Sequence, residues 1–324
     1  MKFIRSAARA ALLACGALCA ASAYAQTYPA RPVRVIVPFP PGGSVDLTAR
    51  LVAAKLGESY GNQFVIDNRT GAGGNIGAEL AAKAAPDGYT LMQGSASNAI
   101  STAANPNLPF HFARDFEPIA LIATLPFILV AHPSVPAKSV KELIAHEKAN
   151  PGKLDYGSAG NGTSNHLAME LFKHMTATDM VHIPYKGGGP AMIDQLAGRV
   201  ALAFANPTVS LPNIRSGKLR ALGVSSAKRS SVAPDLPSVA EVGVPGFDAV
   251  TWYGFVGPAK LPGPIRRKLN ADINRILKTP EMQQRFATDG IEIGGGTPEA
   301  LGARMKGDVE KWSKLVKAAG ITLQ

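Results

Sequence analysis

The chain has 324 residues, 46% of them hydrophobic and 18% charged, with a formal charge of +11. That length suits about two domains, and that composition excludes a disordered or fibrous chain. The cations are scattered, the densest run being Arg266-Arg267-Lys268 in a helical pattern, so no nucleic-acid partner is expected.

The chain opens on a basic stretch with Lys2, Arg5 and Arg9, then an apolar run from Ala10 to Ala21, then Ala23-Tyr24-Ala25. This reads as a secretory signal over residues 1–25, cut after Ala25 and leaving a soluble exported protein. The apolar run is shorter than the roughly 18 to 20 residues that span a bilayer. Both cysteines, Cys15 and Cys19, fall inside it, so the mature chain has no disulfide, thiolate nucleophile or cysteine-bound metal. Removing the three cations leaves 31 basic against 23 acidic residues, a balance that suits anionic small molecules.

Beyond the signal, strand-like and helix-like stretches alternate, which predicts parallel sheets with crossover helices. Residues 33–39 predict a buried strand and residues 44–56 a helix of period 3.6. After a strand at Phe64-Val65-Ile66, Asn75 is expected to cap a helix that runs to Ala85, ahead of a strand at 89–93. The run "IALIATLPFILVA" is longer than one strand needs and is broken by Pro126, so a passage between domains is expected there. Ser139 and Glu142 read as a capping box. Strand and helix pairs follow at 154–157, 180–185 and 200–204, then a strand at 219–224. A second long apolar run, "FDAVTWYGFVGPA", returns the chain to the first domain. Thr279-Pro280 and Thr297-Pro298 open two of the last three helices. The expected architecture is α/β and two-lobed, with residues 26–124 plus 252–324 in one lobe and 125–251 in the other.

Four turns rich in glycine or serine each follow a predicted strand and precede a helix: "PFPPGGSVD", "GSASN", "GSAGNGTSNH" and "YKGGGPA". At the carboxyl ends of the strands such turns converge on a ligand. Glycine admits close backbone approach and helix N-termini offer free N–H groups, so an anion is expected, with Ser44, Thr163 and Ser164 as added hydroxyl donors. None of the turns carries the Lys-Ser/Thr of a phosphate loop, and "GAGGNIG" misses GxGxxG by one position at Ile76. Ser158 lacks a GxSxG frame, because Tyr156 stands where the first glycine would be. His166 and Glu170, four apart, have no evident third metal ligand. No enzyme, metal or cofactor is expected.

The stretches "YPARPVRVIVPFPPGGSVDLTARLVAAKL", "NRTGAGGNIGAELAAKAAPDGYTL", "YGSAGNGTSNHLAMELF", "HIPYKGGGPAMIDQLAGRV" and "GKLRALGVSSAKRS" together resemble the Bug receptors, periplasmic solute-binding proteins related to tripartite tricarboxylate transporters. The resemblance runs from about Tyr28 to the C-terminus. It implies a Venus-flytrap fold that closes on a small carboxylate, delivery to a membrane permease or a signalling role, a periplasmic location, and a monomer. It also implies a pincer: Phe39, Pro40, Gly42, Gly43 and Ser44 from one lobe, with Ser158, Gly162, Thr163 and Ser164 from the other. Asn75, Ser95, Tyr185 and Lys186 are expected to face the cleft. Their ordinary alternatives are a helix cap for Asn75, a turn residue for Ser95 and a strand end for Tyr185. Many relatives carry Asp-Asn after the strand that ends here in Phe204, whereas this chain has Ala205-Asn206; the missing acid counts against an amino-acid ligand. Phe39, Phe204, Trp252 and Tyr253 are candidates for an apolar lining, with core packing expected for at least two of them.

Overall fold

The computed structural model describes residues 28–319 and 321. The expected signal segment, its two cysteines and the cleavage position lie outside them.

Two sheets organise the chain. β1 (Val33–Val37), β2 (Phe64–Asn68), β3 (Thr90–Ser95), β4 (Phe116–Pro126), β10 (Val250–Pro258) and β11 (Glu292–Ile293) form one, in the order β11-β4-β10-β3-β1-β2. The other is β7-β6-β8-β5-β9, built from β5 (Ile128–Ala131), β6 (Asp155–Ser158), β7 (Val181–Pro184), β8 (Leu202–Ala205) and β9 (Arg220–Val224). Helices α1 (Ser44–Tyr60), α2 (Asn75–Ala82), α3 (Ala96–Ala104), α8 (Gly263–Leu277), α9 (Pro280–Thr288) and α10 (Pro298–Ala319) belong with the first sheet in sequence. Helices α4 (Val140–Ala149), α5 (Ser164–Thr176), α6 (Gly188–Leu196) and α7 (Pro207–Arg215) belong with the second.

Each sheet is apolar on both faces because helices cover both. In β1, Val33, Val35 and Val37 join one buried cluster while Ile36 joins another on the opposite face. In β5, Leu129 and Ala131 face one cluster, Ile128 and Val130 the other. A strand buried on both sides reads as a continuous apolar run rather than an alternating one, which explains the sequence of both strands.

The expectation of parallel sheets needs correction, since both are mixed. β1 pairs in parallel with β2 and β3, and β6 with β7 and β8. β10 runs antiparallel to β3 and β4, β11 to β4, and β5 to β8 and β9. Of the three reversed strands, β5 and β10 are those by which the chain changes sheet: β5 follows β4 directly, with no crossover helix to turn the chain around.

Two helix starts also differ. Gly74, at φ 97°, is the N-cap of α2, Asn75 is its first residue with no side-chain cap bond, and the helix stops at Ala82. The Ser139 hydroxyl does accept the Glu142 N–H at 3.2 Å, but the Glu142 carboxylate reaches Lys138 N–H at 2.8 Å, so the capping box is half formed. Thr279 and Thr297 cap their helices as expected, accepting from the N–H of Met282 at 3.4 Å and of Ala300 at 3.2 Å.

The two passages between sheets lie side by side, at the end of the β4–β10 ladder where Val250 pairs with Pro126. There Ser225, fully buried, holds both: its hydroxyl accepts from Phe127 N–H at 2.7 Å and donates to the Ala249 carbonyl. Its own N–H bonds Phe127 O at 2.8 Å, and Ala249 N–H bonds its carbonyl at 2.9 Å. Farther off, α10 joins the lobes again, packing Leu301 and Met305 into a cluster of the first sheet and Trp312 into one of the second. Ser225→Ala would leave the Phe127 N–H buried without its acceptor; it is expected to lower stability by about 1–3 kcal/mol in urea titration.

Candidate functional site

Between the lobes lies a cavity of about 200 Å³ into which all four predicted turns deliver residues. The first turn leaves β1 through Pro38, Phe39, Pro40 and Pro41, whose three prolines have no N–H to give a ladder, and bends at Gly42 with φ 85°. Its shape is fixed from behind. Asp46, 1% exposed, accepts the Gly42 N–H at 3.0 Å, Arg50 Nε at 2.8 Å and Asn68 Nδ2 at 2.9 Å. Burial pushes the Asp46 carboxyl up, but those bonds outweigh it and hold it below the usual carboxylate range. Asp46 therefore ties the turn to its helix.

The N-terminus of α1 has no side-chain cap. Its first intrahelical bond runs from Leu47 N–H to Gly43 O at 2.9 Å, so the N–H groups of Ser44, Val45 and Asp46 have no intrahelical partner. The same holds at α5, where Leu167 N–H bonds Thr163 O at 3.0 Å and Ser164 N–H goes to Ser97 Oγ at 3.1 Å, leaving Asn165 and His166. Helix α6 begins after Gly187, at φ 118°, with Gly188 and Gly189 ahead of Pro190, and it too lacks a side-chain cap. Three positively polarised helix ends thus surround one cavity.

The hydroxyl groups behave differently from expectation. Thr163 Oγ1 spends its proton inside its own turn, on Gly160 O at 2.6 Å, and Ser164 Oγ donates to Thr251 Oγ1 at 3.1 Å. A hydroxyl has one proton to give, so these two side chains brace the site and do not add free donors. Ser44 Oγ sits 3.2 Å from Tyr253 Oη and accepts Asn206 Nδ2 at 2.7 Å. That contact and the Ser97–Ser164 contact join the two lobes across the cavity.

Of the predicted residues, Phe39, Pro40, Gly42, Gly43, Ser44, Ser95, Thr163, Ser164, Ala205 and Asn206 line this cavity. Ser158 and Gly162, though part of the third turn, do not. Tyr185 and Lys186 line a second cavity of about 160 Å³, which shares Phe39, Pro40, Ala159 and Gly187 with the first. Asn75 lines neither. Among the aromatic candidates, Phe39, Phe204 and Tyr253 line the main cavity. Trp252 is fully buried and donates from Nε1 to Asp308 at 2.6 Å, a core role.

Sequence reading singled out neither Ser97 nor Phe127, Asn165, Met192 and Gln195, nor the glycines of the fourth turn individually. For those glycines the signal was present in "YKGGGPA". For Phe127 and Gln195 there was none, because the pairing of distant strands and helices brings them in.

Behind the third turn lies a stack of rings. His166 and His182 are 3.9 Å apart between centroids, and Tyr156 lies 4.8 Å from His182. His166 Nδ1 accepts the Gly162 N–H at 3.2 Å, and Ser158 Oγ lies 2.6 Å from His182 Nε2. Glu170, four residues on from His166, binds the Tyr156 hydroxyl and, at 3.0 Å, Lys173. Among the described residues no group of three acids, histidines or cysteines is placed to hold a metal.

A family model described as "Tripartite tricarboxylate transporter family receptor" matches residues 48–321. The chain belongs to the tripartite tricarboxylate transporter receptor family. Among solved structures, this receptor is similar to Rpa4515 of R. palustris, determined with adipate, at TM-score 0.87 and 37% identity, covering 91% of this chain and 99% of that one. It is similar to the periplasmic binding protein BugD at TM-score 0.86 and 35% identity, covering 92% and 100%. MatC (Rpa3494) from Rhodopseudomonas palustris, with bound malate, matches at TM-score 0.85 and 31% identity over 89% and 100%. The chain shares their α/β fold, and its family is one of solute receptors and not of enzymes. The receptor's described residues include no helix long and apolar enough to cross a membrane.

Burial pushes His166 down to about 4, with the Lys173 charge adding to it. His182 falls to about 3, again through burial first and then through His166. Both rings are neutral above pH 6.5 whether the chain is folded or not. Below that the unfolded chain takes up protons that the folded receptor refuses, so stability falls from about pH 6.5 toward pH 4. His182→Gln, which keeps a partner for Ser158, is expected to flatten that fall in denaturation midpoints measured from pH 7 to pH 4.

Proposed function

We propose that this receptor captures a small organic carboxylate, a dicarboxylate or an aromatic carboxylate, in the cavity between its lobes. The supporting observation is the convergence of the uncapped N-termini of α1, α5 and α6 on a cavity lined by no Asp, Glu, Lys, Arg or His. Free amides and helix dipoles favour an anion there, and nothing in the lining offers competing ionic chemistry. The adipate and malate in the structures of similar proteins fit that reading.

The first turn, Phe39 to Ser44, is one jaw in this reading. Thr163 and Ser164 with the first amides of α5 make the opposing one, Ser95 faces the cavity from the same lobe as the first turn, and Ala205 and Asn206 line the cavity from the other lobe. Ser158, Gly162 and Asn75 support these turns from outside the cavity, while Tyr185 and Lys186 occupy its vestibule. One lobe comprises residues 26–124 and 252–324, the other 125–251, and closure is a hinge motion at the two passages beside Ser225. After cleavage near Ala25 the receptor works in the periplasm as a monomer and presents its ligand to a tripartite tricarboxylate-type permease.

A panel of dicarboxylates and aryl carboxylates should include members that raise the melting temperature of the mature receptor, while neutral sugars and organic cations should not. A shift with sugars or cations and none with carboxylates would sink the reading. Gly43 has φ −79°, and a Cβ there would meet nothing closer than Pro40 O at 3.9 Å. Gly43→Val should therefore fold with nearly unchanged stability and yet lose about tenfold or more in carboxylate affinity by calorimetry, since its branches crowd the N–H groups of α1.

A further inference from the structure

We infer that Gln195 accepts a hydrogen bond from the body of the ligand, and that this receptor selects carboxylates carrying a neutral donor, a hydroxyl, at the end away from the carboxylate. The inference rests on the carboxylate reading above and sets the chemistry of the ligand's other end.

Three side-chain amides line the main cavity, those of Asn165, Gln195 and Asn206. The Asn165 oxygen is taken, by Ala159 N–H at 3.3 Å and the Thr163 hydroxyl at 2.8 Å. Asn206 Oδ1 and Gln195 Oε1 are buried without a hydrogen-bond partner. The Asn206 amide can be turned over and keep its neighbours, because the hydroxyls of Ser44 and Tyr253 can give a proton as well as take one. Gln195 has no such freedom. Its Nε2 donates to the Val130 carbonyl of β5 at 3.2 Å, and a carbonyl only accepts, so turning the amide would set oxygen against oxygen. Gln195, 1% exposed, is therefore the acceptor whose orientation the fold itself fixes.

Its place along α6 says which part of a ligand it meets. Gly188, Ala191, Met192 and Gln195 follow the spacing of one helix face, and all four line the cavity. From Gly188, the first residue of α6, to Gln195 is about two turns, or roughly 10 Å along the axis. A ligand that rests its carboxylate on the uncapped amides where α6 begins extends its far end toward Gln195. Phe127, Phe204 and Val209 in the same lining offer apolar contact to the body of such a ligand.

The chemistry of that far end then decides affinity. An ionised second carboxylate only accepts, and it would meet the Gln195 oxygen with another oxygen. An alkyl or phenyl end would shut the carbonyl away from water with nothing in return, which costs the desolvation of the group. A hydroxyl would donate to it and remove that cost.

The test is calorimetry on the mature receptor with 3-(4-hydroxyphenyl)propanoate, 3-phenylpropanoate and 3-(4-methoxyphenyl)propanoate, and with 6-hydroxyhexanoate against hexanoate. The hydroxylated member of each series is expected to bind about tenfold tighter or more than the others. The methoxy compound keeps the oxygen and lacks the proton, which separates donation from polarity and size. Gln195→Met, similar in length and without the carbonyl, is expected to bring each ratio to within about twofold. Equal binding of hydroxylated and unsubstituted acids by the unaltered receptor overturns the inference. So does a ratio that persists in Gln195→Met beside a lowered denaturation midpoint, the result expected of a Gln195 that only ties α6 to β5. Binding of dicarboxylates with failure of all these acids also overturns it and leaves the carboxylate reading intact. Failure of every carboxylate here and in the wider panel, with binding of neutral or cationic solutes, overturns both. If Gln195→Met does not fold, the ratios on the unaltered receptor decide the matter.

Discussion

The pairing of β4 with β10 is the contact on which the two-lobed arrangement depends. It brings the two places where the chain changes sheet next to each other, and Ser225 bonds both strands of that passage at once. Two adjacent, hydrogen-bonded strands can bend together, whereas two separated connections would brace the lobes like the sides of a frame. The reversal of β5 and β10 relative to the parallel strands of their sheets follows from this, because each enters its sheet straight from the other lobe. The cavity then forms on the side where the turns of both sheets face one another.

Around that cavity the side chains and the main chain divide the labour. Titratable groups stay behind the turns and fix their shape: Asp46 holds the first turn, neutral His166 the third, and Asp194 the fourth through Tyr185. Hydroxyl groups brace one turn against another. The surface left facing inward consists of amide groups, small residues and apolar rings. That arrangement separates the rigidity of the site from its selectivity, since the groups that set the geometry are not those that meet the cavity.

Much of this was legible in the sequence. The alternation of strand and helix gave the fold class, the broken apolar run at Pro126 marked the first passage, and four glycine turns pointed to one edge. The same alternation implied parallel pairing, which holds among β1, β2 and β3 and among β6, β7 and β8, but it carries no sign that β5 and β10 enter their sheets from the other lobe and run the opposite way. Thr163 and Ser164 looked like free donors, and a sequence cannot show that their protons are spent on Gly160 and Thr251. Asn75 looked like a cap, but Gly74 can take the left-handed conformation that begins α2 and displaces it. Phe127 and Gln195 reach the cavity through contacts between distant elements, and no local pattern announces them.

A donor that belongs to the main chain cannot be deleted by changing a side chain. Ser44, Val45 and Asp46 keep their N–H groups under every replacement except proline, as do Asn165, Gly188 and Gly189. Systematic alanine replacement would therefore pass over the most polar part of this cavity and register only the braces around it. The same property lets descendants of one receptor exchange the residues that face a ligand's body while the amides beneath them stay in place. Diversification of ligand preference on this scaffold can proceed by a few substitutions in the lining, with no intermediate that has lost those main-chain donors.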